Sequence, residues 1–113
     1  MAFVPDEREW AVLVMDLGRH QDPEGETLVE GFPTYQQAKE YAKRRTRASV
    51  EEVRGQVLSP ELIRSHWMAF GESCLVVGED YRASEEIEFF IWHRPNSPEE
   101  LDWQSLTPLW LSF

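Results

Sequence analysis

The sequence predicts a single α+β domain in which an antiparallel or mixed sheet carries helices on one face. Three observations lead to this class: an almost continuous apolar stretch at residues 8–16, two capped amphipathic stretches at 35–54 and 59–70, and two further short apolar stretches at 73–78 and 86–93. Strand pairs on either side of helices are typical of this class. The predicted order of elements is β-β-α-α-β-β-α.

The bulk composition indicates a folded protein of one domain. A chain of 113 residues that is 42% hydrophobic and 12% aromatic is long and apolar enough to bury one core, with residues 1–7 expected to be ragged. The one cysteine, Cys74, excludes a disulfide scaffold and a zinc ribbon, and favours the reducing cytoplasm. The longest apolar run, Trp10 to Met15, is too short to cross a membrane, so we expect no membrane partner.

The first two strands are predicted to form a wide hairpin. Arg8 to Asp16 is rich in Val and Leu, which favours a central strand covered on both faces. Leu17 to Glu26 contains Gly, Asp-Pro and Gly, which is typical of turns. Thr27 to Phe32 would return as the second strand.

Two helices follow, each with a recognisable beginning. Thr34 and Gln37 match a capping box at the start of a helix over 35–54, which we expect to kink near Ser49. Small and apolar side chains recur along one face of this helix at Tyr35, Ala38, Tyr41, Ala42, Thr46, Val50 and Val53. Ser59 followed by proline predicts the start of the second helix, which ends at Gly71.

The last third is predicted to contain a second hairpin and a short helix. Ser73 to Gly78 and Glu86 to His93 are the two strands, separated by a polar turn. Ser97-Pro98-Glu99-Glu100 predicts a capped helix through about Leu106, and Thr107-Pro108 ends it.

Three stretches of the chain resemble a family of small uncharacterised bacterial proteins. They are the first strand ending in aspartate (Trp10 to Asp16), an acid-Gly-Phe-x-Thr start of an alanine-bearing helix (Glu30 to Lys43), and a helix ending in Phe-Gly-Glu (Glu61 to Glu72). Together they span most of residues 10–75. The family has no assigned activity, so the resemblance implies a compact α+β domain and no chemistry.

One candidate metal or general-base site lies after the first strand. Asp16, His20 and Asp22 combine two carboxylates with an imidazole, and such a group would bind a divalent metal if His66 or His93 came near. The other interpretation is a solvated turn in a chain that is acidic throughout.

The sequence contains no catalytic signature. Cys74 with His66 or His93 would suggest a nucleophile and its base, but its neighbours Leu75 and Val76 favour an inert buried thiol. Gly-rich phosphate loops, GxSxG and HExxH are absent. No cofactor is therefore expected, and a non-catalytic role is favoured while an enzymatic one stays open.

The basic residues cluster in the middle of an acidic chain. Residues 35–70 carry seven basic and four acidic residues although the formal net charge of the chain is −10. The candidate interaction residues in this run are Lys39, Lys43, Arg44, Arg45 and Arg47. One interpretation is a surface for an acidic partner, and the other is a solvated helix face.

The C-terminal segment is unusually apolar. Trp103, Trp110 and Phe113 are the aromatic candidates for an interaction surface, since tryptophan is enriched at binding hot spots. The segment would dock on its own core, or it would cover a neighbouring subunit or partner.

These observations favour a non-catalytic protein-interaction or regulatory module with an unknown protein partner, and a homodimer as its assembly. A small-molecule or metal-binding protein with a site at Asp16, His20 and Asp22 is the alternative. An acidic inhibitor that mimics DNA is a third interpretation. Nucleic-acid binding is not expected, because an acidic surface repels phosphate.

Overall fold

The computed structural model describes residues 9–19 and 22–108, which form one α+β domain. The strands are β1 (Trp10–Asp16), β2 (Glu26–Phe32) and β3 (Glu72–Val76), and the helices are α1 (Tyr35–Arg54), α2 (Pro60–Phe70) and α3 (Ile87–Trp92). Short 3-10 turns occupy Leu17–Arg19, Pro23–Gly25, Ala83–Glu86, Pro98–Leu101 and Gln104–Leu106. No helix in these described ranges is long and apolar enough to cross a membrane.

The sheet is antiparallel and has the order β2-β1-β3. The predicted hairpin and central first strand are confirmed. Burial along β1 is one-sided, however: Val12 and Val14 are buried against α1, whereas Leu13 and Met15 on the opposite face are only partly buried. The face of β1 opposite α1 is therefore less completely covered than the face that packs on α1.

The two central helices begin where the sequence predicts. The Thr34 hydroxyl accepts a hydrogen bond from the Gln37 backbone N–H at 3.1 Å, and the Ser59 hydroxyl accepts one from Leu62 N–H at 3.2 Å. The Gln37 side chain does not complete the capping box, because it donates to the Leu106 carbonyl at 2.9 Å. It thereby ties the C-terminal segment to the start of α1.

The helix α1 runs unbroken through Ser49 to Arg54, and a kink near Ser49 stays a prediction. The Ser49 hydroxyl accepts a hydrogen bond from the Glu72 N–H at 2.8 Å, and the Thr46 hydroxyl accepts one from Cys74 N–H at 3.1 Å. Two hydroxyls of α1 thus satisfy backbone donors of β3 that would otherwise lie buried without partners.

Two clusters of buried side chains lie along α1. The first packs α1 on the sheet and contains Val12, Val14, Val29, Phe32, Ala38, Tyr41, Ala42, Cys74 and Val76. The second packs the C-terminal half of α1 on α2 and α3 and contains Val50, Val53, Ile63, Trp67, Phe90 and Ile91.

The predicted strand at 86–93 is wrong, because most of this stretch is α3. Ile87, Phe90 and Ile91 recur at helical spacing and pack together into the second cluster, which an alternating strand could not achieve. The Arg54 guanidinium donates to the Phe90 and Ile91 carbonyls at 2.7 and 3.0 Å. Arg54 therefore supplies the donors that the last carbonyls of a helix lack.

The predicted helix at 97–106 is also wrong in kind, because the structure has two 3-10 turns there. The Ser97 side chain makes no capping hydrogen bond. The Glu100 carboxylate accepts from the Asn96 N–H at 2.9 Å and not from the Ser97 N–H, so the expected capping box does not form.

Candidate functional site

The two lysines of the basic run lie near the 3-10 turn at Ala83–Glu86. The Lys39 ammonium lies 5.2 Å from the centre of the Tyr81 ring, and the Lys43 ammonium lies 3.8 Å from a Glu86 carboxylate oxygen. The Lys43 side chain is still 37% exposed. Contacts of this exposed kind are weak, so both lysines can also meet a partner.

Two arginines of the run hold the C-terminal segment. Arg44 donates to the Asp102 carbonyl at 3.2 Å. Arg45 pairs with Glu72 at 3.0 Å, and its guanidinium carbon lies 4.1 Å from the centre of the Trp103 ring. A polar cleft of about 260 Å³ opens beside these side chains. Arg45 therefore joins β3, α1 and the segment that carries Trp103.

Arg47 is a buried arginine rather than a surface one. It is 5% exposed, donates to the His93 carbonyl at 2.7 Å and lies 3.1 Å from Glu100. Its guanidinium carbon also lies 5.6 and 5.2 Å from the ring centres of Phe89 and Phe90. The basic run thus fastens later segments to α1, and its binding to a partner stays a prediction.

The carboxylates of the candidate metal site bind their own turns. Asp16 accepts a hydrogen bond from Gly18 N–H at 3.0 Å, and Asp22 accepts one from Glu24 N–H at 2.9 Å. Arg19 hydrogen-bonds the Asp22 carboxylate at 2.7 Å and lowers the pKa of that group. His20 lies outside the described residues. Within those residues, no three His, Cys, Asp or Glu side chains are grouped to hold a metal ion, and the metal hypothesis stays a prediction.

Among the described residues, His66 and His93 each contact a carbonyl of their own helix, and Cys74 is buried. The Nδ1 atoms of His66 and His93 lie 3.0 and 3.1 Å from the Leu62 and Phe89 carbonyls one turn earlier. Burial raises the pKa of the Cys74 thiol to about 12. Since the thiolate is the nucleophile, Cys74 is suited to packing rather than catalysis.

The C-terminal segment docks on its own chain as far as it is described. Trp103 and Leu106 pack against the first buried cluster, and Trp103 makes an edge contact with Tyr41 at 5.7 Å between ring centres. Trp110 and Phe113 lie outside the described residues.

A groove of about 370 Å³, lined by both apolar and charged side chains, lies between α3 and the segment that leads into α2. We call it the helical groove, and its lining consists of Arg54, Val57, Leu58, Pro60, Ile63, Ile91, Trp92 and Arg94. Ile63 and Ile91 form its buried floor, at 3% and 2% exposure. Leu58 is fully exposed and Trp92 is 58% exposed, so two large apolar side chains face solvent at its rim.

The walls of the helical groove are fixed by polar contacts. Arg64 forms two hydrogen bonds of 2.6 Å to the Glu88 carboxylate, which joins α2 to α3. The Trp92 indole N–H donates to the same carboxylate at 3.2 Å. These exposed contacts orient Trp92 at one side of the rim, whereas Leu58 at the other side is fully exposed.

The helical groove has one accessible charge at its rim. Arg54 is occupied by Glu51 and by the α3 carbonyls. Arg94 is exposed, and within the described part of the chain it has neither an ion pair nor a side-chain hydrogen bond. The groove therefore offers exposed apolar side chains beside a guanidinium, which can donate hydrogen bonds to a carboxylate.

Sequence reasoning missed the helical groove for two reasons. Leu58 lies in a connection between helices, where a single apolar residue gives no periodic signal. Trp92 was assigned to a strand. The signal that could have found it is the i, i+3, i+4 spacing of Ile87, Phe90 and Ile91, which places Trp92 on the outer side of a helix.

Comparisons with protein-family models, with curated proteins and with solved structures gave no match to this chain.

Proposed function

We propose that this protein is a non-catalytic protein-interaction module that binds a partner segment in the helical groove. One observation carries the proposal. Six of the eight large hydrophobic side chains that are exposed in the described residues lie on α2, on α3 or in the segment leading into α2. These six are Leu58, Leu62, Met68, Phe70, Phe89 and Trp92. Two of them, Leu58 and Trp92, line the helical groove, and exposed large apolar side chains beside a groove are typical of binding sites.

The occupant that fits is a short partner segment with a large apolar side chain and a neighbouring carboxylate. The apolar side chain would lie on the Ile63 and Ile91 floor between Leu58 and Trp92. The carboxylate would pair with Arg94, the one lining charge of the groove that is not already bound within the described residues. A tryptophan at the rim supports this choice, since tryptophan often dominates binding energy.

A cytoplasmic location is part of this proposal. It is supported by Cys74, which is free and buried, because a reducing compartment keeps such a thiol unoxidised.

Selection of short peptides displayed on phage tests the proposal. We expect enriched peptides to combine a large apolar residue with Asp or Glu. The double variant Leu58→Glu, Trp92→Glu should lose roughly tenfold or more in affinity for them, because it removes the apolar rim. Met68→Glu is the matched control, since Met68 is an exposed apolar residue of α2 that does not line the helical groove.

A further variant tests the charge. Arg94→Glu should remove the preference for acidic peptides and leave the apolar requirement unchanged. Circular dichroism of each variant checks folding. If selected peptides bind the double variant as tightly as the wild type, or if no peptide is enriched over it, the proposal is wrong.

A further inference from the structure

The face of the sheet opposite α1 is apolar, and no described helix lies on it. On this face the strand register places Leu28 of β2 beside Leu13 of β1, and Leu13 beside Leu75 of β3. Leu28 is 51% exposed, and Val77, which directly follows β3, is 44% exposed. We call this surface the leucine face. Of the eight large hydrophobic side chains that are exposed in the described residues, Leu28 and Val77 are the two that lie outside α2, α3 and the segment before α2.

The leucine face has charges of opposite sign at its two sides. Glu26 lies two residues before Leu28 on the same face of β2, and Glu30 lies where the pairing with β1 becomes irregular after Val29; all three are exposed. At the other side Arg82 forms a bridge with Leu75 and is exposed. Within the described ranges, none of these three charged side chains has an ion pair or a side-chain hydrogen bond. The row therefore runs from the acidic residues of β2, across three leucines, to the exposed base Arg82, and the exposed acids Glu79 and Asp80 lie in the turn before it.

Such a surface is complementary to itself under one kind of two-fold rotation. In a symmetric dimer the same patch is used by both copies, so it must match itself. An axis parallel to the strands, between two stacked sheets, would lay β2 of one copy over the β3 side of the other. Arg82 of each copy would then face Glu26 and Glu30 of its partner, and the leucines would meet in the centre at a sheet spacing of about 10 Å.

Other ways of pairing two copies are less favourable. An axis perpendicular to the strands would stack β2 on β2 and bring glutamates together. Joining the two β2 edges around Leu28 would set Glu26 opposite Glu30, and like charges directly opposite destabilise a sheet. We propose that the leucine face binds a second copy of this chain, with the two-fold axis parallel to the strands.

This dimer is independent of the helical groove. The groove is formed by α2, α3 and the segment before α2, and the leucine face belongs to the sheet. Each dimer would therefore present two grooves, which would strengthen binding to a partner that carries two copies of the recognised segment.

Sedimentation velocity over a micromolar to millimolar range of the full chain tests the dimer. We expect the wild type to dimerise. Arg82→Glu, and separately Glu26→Arg with Glu30→Arg, should each weaken the dimer by roughly tenfold, because like charges then face each other. A chain with all three changes should recover the wild-type dissociation constant to within about threefold, because the charges are exchanged and match again.

Leu28→Lys should abolish the dimer, whereas the matched control Leu62→Lys, on α2, should leave it unchanged. Circular dichroism checks that each variant is folded. A wild type that is monomeric over the whole range overturns the proposal. A dimer that is indifferent to Leu28→Lys and to Arg82→Glu overturns it as well, since the contact would then lie elsewhere.

Discussion

Replacing Thr46 by valine tests whether α1 stabilises the edge of the sheet through its hydroxyl groups. Thr46 and Cys74 are both fully buried, and the Thr46 hydroxyl accepts the Cys74 N–H at 3.1 Å. Valine keeps the shape and removes the acceptor. A buried donor left without a partner costs about 1–3 kcal/mol, and the extra buried methyl group returns about 0.8 kcal/mol. We therefore expect the free energy of unfolding to fall by about 1 kcal/mol, and the melting temperature by about 4–8 °C.

Urea unfolding, followed by tryptophan fluorescence, measures this change. The slope of free energy against urea should stay constant, so that the midpoint alone moves. Thr27→Val is the matched control, because Thr27 is exposed on β2 and its change should stay within about 0.5 kcal/mol. Faster hydrogen exchange of the Cys74 amide would locate the effect. If Thr46→Val unfolds at the same midpoint as Thr27→Val, the hydroxyl does not stabilise β3.

Three further changes follow from other buried contacts. Arg47→Met should lower the free energy of unfolding by about 2–3 kcal/mol, because it removes an arginine that is 5% exposed and leaves Glu100 without its partner. Chemical denaturation measures this loss, and an unchanged midpoint would contradict the prediction. Gly71→Ala should cost about 1–3 kcal/mol, because the added Cβ would lie 2.3 Å from Cδ1 of Trp67; a melting temperature equal to the wild type would refute this. The unfolded Cys74 thiol ionises near pH 9.0, whereas burial raises the pKa of the folded thiol to about 12. The contribution of Cys74 to the free energy of unfolding should therefore be constant below about pH 9 and fall above it. Cys74→Ala should lose less stability between about pH 8 and about pH 10 than the wild type, and urea midpoints at these two pH values measure the difference.

The elements with local signals were predictable from the sequence. The beginnings of α1 and α2 depend on Thr34 and Ser59, whose hydroxyls cap the adjacent backbone in the structure as expected. The β1–β2 hairpin follows from apolar stretches around a Gly- and Pro-containing turn. Such signals lie within a few residues of the element that they predict.

The elements that depend on distant residues were not predictable. The Glu86 to His93 stretch reads as a strand by residue type, but Arg54 and Arg47 from α1 bind the Phe90, Ile91 and His93 carbonyls and support a helix. Tertiary contacts of this kind outweigh local preference.

The candidate site was largely unpredictable for the same reason. A run of basic residues on a helix indicates a charged surface, and a single sequence does not reveal that Arg45 and Arg47 turn toward Glu72 and Glu100. The helical groove exists only because α3 packs beside the segment before α2. The acid and histidine group at Asp16, His20 and Asp22 stays a prediction, as does an inhibitor that mimics DNA.

Amide hydrogen exchange of the protein with and without a selected peptide tests the central claim most directly. The account predicts slower exchange in residues 57–63 and 91–94, the segments that line the helical groove, with little change along the lysine-bearing side of α1. Slower exchange confined to residues 39–47 would contradict it, and would place the interaction surface on the basic run of α1 instead.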